Sequence, residues 1–582
     1  MRLHPPQLIV VVFIVLAALY GVATPIFEAS DEYLHFPVVK HIADGLGLPV
    51  QRPGVRTAWE QEGSQPPLYY ILVSPLARGI DAREMAGRLR YNPHAHPGDP
   101  YLDANKNLIV HSGAENFPWR ETTLAVHLIR LVSIALGAAT VAATGALLRE
   151  IVPARPDLAI GAMALTAFNP MFLFITASVN NDNLLIALST LALVLIAQIL
   201  NERRGAPREA DTAGRRWIVR RAALAVVIGL ASLTKVSGLA LLVPAAIALS
   251  LTHLGRRETA RWIGSGLMLA AGVVLLAGWW YARNWNLYGE WLGIETMAQV
   301  AGLRNPTPTL LELAAEFEGF KIAYWALFGA VNILTFPLAY VFYDGLTLLA
   351  LAGWLVGARR VWRSGPRSAL WPWLIFLLYV LTLFVGVVRW TSLTPASQGR
   401  LLFPAIGAIS ALIWSGWDTL ATVVATSVAG RLKSSLQIRH LKSSVAGRLK
   451  SSLQIRHLKW GVPVVMLLIA AQAPFADILP AYAAPSFVQQ ADLPAPVQTL
   501  NATFDDRIKL IGVVPSRRVD ADGRLSFTIY WQCLMSMREN YSVFVSVKGH
   551  SLTEVGKLDA YPHRGLFATS DCPPNAVLAD RY

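Results

Sequence analysis

The chain has 582 residues, 54% of them hydrophobic and 15% charged, with a mean hydropathy of +0.43. That balance excludes an ordinary soluble domain and points to a multi-pass membrane protein with an attached soluble part. The formal net charge of +14 would suit a nucleic-acid binder, but the basic residues gather in short loops between apolar runs, so the pattern is that of the positive-inside rule and no nucleic-acid partner is expected.

Leu8 to Ala23 is a continuous apolar run behind Arg2, with no small-residue cleavage site, and reads as a retained first span with a cytoplasmic amino terminus. Directly after it, PIFEASDEYLH (Pro25 to His35) places Glu28, Asp31, Glu32 and His35 within eight residues. If Glu28 to His35 is helical, their offsets put all four on one side. Solvated acids at a membrane interface would look the same. A polar outer loop then runs from about residue 24 to 121. Within it, Gln65 to Ile80 is apolar but too short to cross about 30 Å of hydrocarbon at 1.5 Å per residue, and reads as an interfacial helix begun by Pro66 and Pro67.

The next spans are expected at Leu124 to Leu148, Leu158 to Ala177 and Leu184 to Leu200, which makes Val179 to Asn183 an outer turn. Seven arginines between Asn201 and Arg221 fix the following loop inside. Ala222 to Leu251 is too long for one comfortable span and carries Thr234-Lys235 in its middle, so two helices meeting at an outer tip near Lys235 are expected. Arg256, Arg257 and Arg261 mark an inner loop before Trp262 to Tyr281. The outer segment Arg283 to Pro337 includes an interfacial stretch with Trp325 and Phe328. Leu338 to Val356, Trp371 to Val388, Leu401 to Trp417 and Trp460 to Phe475 complete about eleven spans. Between the last two, SVAGRLKSSLQIRHLK occurs twice, at Ser427 to Lys442 and Ser444 to Lys459, and reads as a tolerated duplication in a basic cytoplasmic loop (about 427–459).

From about Ala491 the pattern changes to strand-like alternation at Arg507 to Val514, Leu525 to Gln532 and Tyr541 to Lys548, with a turn signal at Asp520 to Gly523. A small extracytoplasmic β-sandwich (491–582) is expected, lacking its closing strands if Tyr582 ends it. An oxidising compartment would permit Cys533 and Cys572 to pair, although two cysteines do not define a framework.

Several segments occur in a recognisable order: SDEYLH, SQPPLYY, FPWRETTLAVHLIRLVS, SVNNDN, LTKVSGL, ARNWNLYGEWLG and SQGRLLFP. Over Pro25 to about Trp417 this order resembles the GT-C superfamily of membrane glycosyltransferases. It resembles most the bacterial relatives of protein O-mannosyltransferases and of the aminoarabinose and rhizobial lipopolysaccharide transferases. FTIYWQ, YSVFVSV and DRY resemble a β-domain appended to some of them. The resemblance implies a transmembrane module (1–480) in the cell membrane that moves a sugar, with inversion, from a polyprenyl-phosphate donor to an extracytoplasmic hydroxyl of a glycan, lipid or protein.

By position it implies a base at Asp31, with Glu32 beside it. A hydroxyl acceptor needs a base, whereas a lipid phosphate leaves readily and needs cationic stabilisation, for which Lys235, Arg283 and Arg400 are the outer candidates. Glu28, His35, Gln65, Tyr69, Asn181, Asp182, Asn284, Tyr288 and Gln398 are expected to bind substrate. Interfacial snorkelling, polar turns or interfacial tyrosines would account for each of these residues singly. No cofactor is expected. A divalent metal, used by several members of that superfamily through paired acids, is left open, because no His, Cys or Asp spacing calls for one. Rival readings are a transporter or flippase of lipid-linked sugars, disfavoured because no inverted repeat is visible, and a catalytically inactive assembly protein.

Overall fold

The computed structural model describes residues 4–202, 210–253, 258–435, 459–494, 498–515, 525–549 and 552–582. Among the described residues, ten helices are long and apolar enough to cross a membrane, or eleven if one bent pair counts as a span. The chain is therefore a polytopic helical membrane protein, and a β-domain follows the helices.

Helix α1 (Pro5–Ala23) contains no charged residue and starts on two prolines, which fit its first turn. The chain then turns sharply into α2 (Glu32–Ala43), with Phe27 and Asp31 both at positive φ. Helix α3 (Leu68–Arg78) is the short apolar helix of the first loop, and α4 (Met85–Arg88) is a single turn. The second span is α5 (Glu121–Ile151).

The run expected to form one span at Leu158 to Ala177 is instead α6 (Pro156–Ala167) and α7 (Pro170–Thr176), bent by 64°. The cause lies in Asn169-Pro170: proline cannot continue the ladder, and the Asn169 side chain accepts from Phe172 N at 2.9 Å to start a new helix. Helices α8 (Asp182–Asn201) and α9 (Ala210–Thr234) follow. At Lys235 the backbone is extended; a 3₁₀ turn, Val236–Leu241, then leads into α10 (Leu242–His253). The tip folds back so tightly that a Cβ on Gly238 would lie 2.4 Å from the Ala231 backbone.

Helix α11 (Thr259–Tyr288) is followed by the short α12 (Ile294–Ala301), α13 (Leu310–Ala315) and α14 (Phe317–Trp325), then a two-stranded ribbon of β1 (Leu327–Phe328) and β2 (Ile333–Leu334). The remaining long helices are α15 (Pro337–Ser364), α16 (Trp371–Leu393), α17 (Ile406–Ser435) and α18 (Gly461–Ala473).

Most of the duplicated segment lies outside the described residues. Its last residue, Lys459, is buried and donates to Asp157 and Asp418, both at 2.7 Å. The turn signal Asp520 to Gly523 and the inner-loop arginines 203, 204, 208, 256 and 257 also lie outside the described residues.

The β-domain begins at β3 (Ser486–Val488), slightly before the expected boundary. It continues through β4 (Gln498–Phe504), β5 (Ile508–Val514), β6 (Thr528–Cys533), β7 (Val543–Lys548), β8 (Glu554–Ala560) and β9 (Val577–Arg581). Instead of two comparable sheets there is one five-stranded antiparallel sheet, ordered β3-β9-β6-β5-β4, and a separate β7-β8 hairpin. Strand β9 is no ragged edge, since it pairs with β3 on one side and β6 on the other. Cys533 and Cys572 form a disulfide joining the end of β6 to the turn before β9. The domain is fastened to the first loop: Asn105 Nδ2 donates to Asp559 O and Asn107 Nδ2 to Gly565 O, each at 3.0 Å, and Arg90 Nη1 donates to Asp571 at 2.8 Å.

Candidate active site

Five segments distant in sequence meet at one end of the helix bundle: the Asp31 turn with α2, the 3₁₀ turn Glu60–Ser64, the start of α8, the Lys235 tip, and the 3₁₀ turn Gly399–Ala405 that begins the α17 span. They enclose a cavity of about 450 Å³. Its floor is polar, with Asp31, Asp182, Lys235 and Arg400. One wall is apolar, built from Leu292, Ile294 and Met297 at α12 and Leu383, Val387 and Trp390 on α16.

Two ion pairs organise the floor. Arg400, only 4% exposed at its side chain, donates Nη2 to Asp31, which is 35% exposed, and donates Nε to Gln398 Oε1 at 2.6 Å. Lys235 Nζ donates to Asp182 Oδ1 at 2.7 Å. Gly399 allows Arg400 this position, because a Cβ there would lie 2.2 Å from Phe320 O. Asp31 is the residue before α2, yet its carboxylate caps no helix N–H and is left to Arg400. Burial pushes its pKa up, but Arg400, through its charge and its hydrogen bond, and then Lys235 outweigh this and hold it below the ordinary carboxylate value.

Of the residues expected to form the site, Asp31, His35, Gln65, Asp182, Lys235, Gln398 and Arg400 line the cavity. The other seven do not. Glu28 and Glu32 turn away from Asp31, because the positive-φ residues break the helix on which the four groups would have shared a face. Glu28 accepts from Leu108 N, Ile109 N and His111 Nε2, each at 2.9 Å, and so holds the first loop. Glu32 is fully buried and pairs with Arg130 of α5, whose Nε lies 2.9 Å from it; Phe27 N and Val179 N donate to the same carboxylate at 2.9 and 2.8 Å. Arg130 Nη1 also donates to Gly21 O and Thr24 O, so this pair binds α1, α2, α5 and the 179 turn together.

Tyr69 bonds Ser133 at 2.8 Å, and Asn181 donates to Gln65 Oε1 at 3.3 Å, orienting a wall residue. Arg283 lies over the Trp280 ring and donates to Pro49 O at 2.7 Å; Asn284 donates to Trp291 O and the Tyr288 hydroxyl accepts from Gln51 N. These three hold the first loop and the segment after α11.

Glu62 and Gln61 line the cavity without having been anticipated. They sit just before SQPPLYY in a polar stretch that shows no period, so only their closeness to that motif pointed to them. Glu62 is 5% exposed, and its Oε2 lies 3.5 Å from His35 Nδ1, which is also 2.7 Å from the Tyr70 hydroxyl. Burial, and after it the Asp31 charge, push the Glu62 pKa up to about 8. Burial likewise pushes His35 down to about 3 against the opposing pull of Asp31, leaving a neutral imidazole. Among the described residues, no three His, Cys, Asp or Glu side chains group closely enough to hold a metal ion.

No protein-family model and no curated protein sequence matches the chain. Solved structures do. The chain is similar to ArnT from Cupriavidus metallidurans, crystallised with undecaprenyl phosphate, at 15% identity and TM-score 0.40, over 81% of this chain and 73% of that one. It is similar to the Archaeoglobus fulgidus oligosaccharyltransferase at 12% identity and TM-score 0.43, over 81% of this chain and 56% of that one. It is also similar to the arabinosyltransferase EmbB from Mycobacterium smegmatis at 12% identity and TM-score 0.40, spanning 64% of its length. Each likeness is one of general fold at low identity.

Proposed function

We propose that the protein transfers a sugar from a polyprenyl-phosphate donor to an acceptor hydroxyl on the extracytoplasmic face of the cell membrane. The observation that carries this reading is the joining, in one cavity, of a carboxylate-guanidinium pair and a carboxylate-ammonium pair beneath an apolar helical wall. Cations beside a greasy wall suit a ligand with a phosphate at the end of a hydrocarbon chain. A carboxylate among them suits removal of a hydroxyl proton.

Before the donor enters, each cation is matched by an acid, so the floor is neutral. An entering phosphate competes with Asp31 for Arg400. As Arg400 turns to the phosphate, Asp31 loses the partner that depresses its pKa and becomes the stronger base, at the moment an acceptor is needed. The acceptor oxygen then attacks the anomeric carbon, its proton passes to Asp31, and the bond to the phosphate oxygen breaks. The electron pair leaves on the lipid phosphate, whose growing charge Arg400 and Lys235 stabilise. Attack opposite the leaving group inverts the anomeric centre. This activity is also the one implied by the resemblance to GT-C transferases.

Membrane lipids, the lipid-linked donor and a glycan, lipid or protein acceptor are the partners in this reading. An inactive assembly protein is disfavoured because Asp31 lies against an outer cation instead of far from one. The test is incubation of purified protein with radiolabelled polyprenyl-phosphate sugars and membrane extracts. Label moving to a new product supports transfer, and label crossing a vesicle bilayer still attached to its lipid would support transport.

A further inference from the structure

Glu62 is the carboxyl of the cavity that neither ion pair uses. Asp31 and Asp182 each hold a cation, whereas Glu62 Oε2 has no hydrogen-bond partner among the described residues although it is buried and lines the cavity. Its neighbours on the same wall, Gln61, Ser64 and Gln65, are uncharged and polar. Two charge-matched pairs can serve a phosphate, but a buried acid without a cation cannot stay ionised cheaply. Such a group suits a ligand that both gives and takes a hydrogen bond.

We propose that Glu62 binds a ring hydroxyl of the donor sugar, in a subsite of uncharged polar side chains beside the cations that hold the phosphate. The proposal rests on the transferase reading above and names the part of the cavity that sees the sugar. A neutral carboxyl offers one O–H donor and a carbonyl acceptor, which is the complement of an alcohol. Gln65 hydrogen-bonds the same carboxyl and leaves Oε2 free, and the titratable groups that act on it are Asp31, Tyr33, His35, Tyr70, Asp182 and Lys235. Glu295, the titratable residue of α12, is exposed. Burial first, and then the Asp31 and Asp182 charges against the opposing pull of Lys235 and Gln65, keep the proton on Glu62 up to about pH 8, so the donor hydrogen is lost as pH rises through that value.

The experiment measures binding of sugar-free polyprenyl phosphate and of a panel of polyprenyl-phosphate hexoses and pentoses to full-length wild type, Glu62→Gln and Glu62→Ala in detergent. The wild type should hold one sugar-bearing lipid more tightly than the sugar-free one, and should lose that preference above about pH 8. Glu62→Ala should lose about tenfold in affinity for the sugar-bearing lipid and nothing for the sugar-free lipid. Glu62→Gln, whose amide still donates and accepts, should stay within about threefold and show no loss at high pH. Equal weakening of both lipids in Glu62→Ala overturns the proposal, as does a Glu62→Gln as poor as Glu62→Ala, or a wild type with no preference for any sugar-bearing lipid. If Asp31→Asn abolishes transfer while the Glu62 variants bind normally, the transferase reading stands and the sugar subsite falls alone.

Discussion

Asp31→Asn separates the two jobs assigned to one ion pair. Asparagine keeps the shape and tolerates the positive φ of 64° at this position, so the turn into α2 should survive. Loss of a general base costs about 10²- to 10⁴-fold in rate, or about 2.7 to 5.4 kcal/mol in the barrier. Donor binding should move the other way. In the wild type the phosphate must draw Arg400 from Asp31, an attraction worth at most about 4 kcal/mol at an effective dielectric of 20 and less because Asp31 is 35% exposed. Without that competitor, affinity for sugar-free polyprenyl phosphate should rise, by up to about tenfold. Equilibrium binding of radiolabelled lipid and single-turnover transfer, made on the same detergent-purified samples, give both quantities. Near-normal transfer by Asp31→Asn, or binding that collapses in step with turnover, would refute the assignment.

Arg400→Ala should weaken lipid-phosphate binding and turnover together, and should move the acid limb of the pH-rate profile upward, because the group that holds the Asp31 pKa down is gone. Glu32→Gln should act on folding, since it breaks a buried pair with Arg130 at a cost of about 3 to 5 kcal/mol; thermal unfolding and yield check this, and a well-folded but inactive Glu32→Gln beside an active Asp31→Asn would make Glu32 the base. Glu62→Gln should gain stability relative to wild type as pH rises from 5 to 8. In that window native Glu62 keeps a proton that the unfolded chain has released, a loss of up to about 1.4 kcal/mol per pH unit that the amide avoids, readable from melting curves at each pH. Deleting Ser427 to Ser443 should leave insertion and transfer nearly unchanged, because the second copy supplies the same letters after Thr426 and Lys459 keeps its bonds to Asp157 and Asp418.

The long spans were legible because twenty or so apolar residues have few alternatives in water or lipid. That Lys235 and Arg400 would meet other polar groups was legible for a related reason: a charge at the end of an apolar run must find a partner, and both pair with acids in the cavity. The division of labour among Glu28, Asp31 and Glu32 was not legible. Spacing alone assumes a continuous helix, whereas the left-handed residues at 27 and 31 send neighbouring carboxylates to three different partners. Arg283 misled for the opposite reason, because an interfacial cation can be satisfied by an adjacent tryptophan ring and backbone carbonyls. The bend at Asn169-Pro170 was readable from proline chemistry, but the apolar run around it hid the break. Glu62 carried no periodic signal, and its place in the cavity comes from the fold of a loop that only tertiary contacts define.

The fastening of the β-domain to the first loop has a consequence for the order in which the protein can mature. The Asn105–Asp559 bond closes a separation of 454 residues. At a synthesis rate of about 5 to 20 residues per second, the first loop waits roughly 20 to 90 seconds for the segments that hold it. During that interval the first loop keeps its bonds to Glu28 but lacks those to Asp559, Gly565 and Asp571. A ribosome stalled after the last span would therefore leave a bundle whose helices are all present and whose first loop is still unclasped.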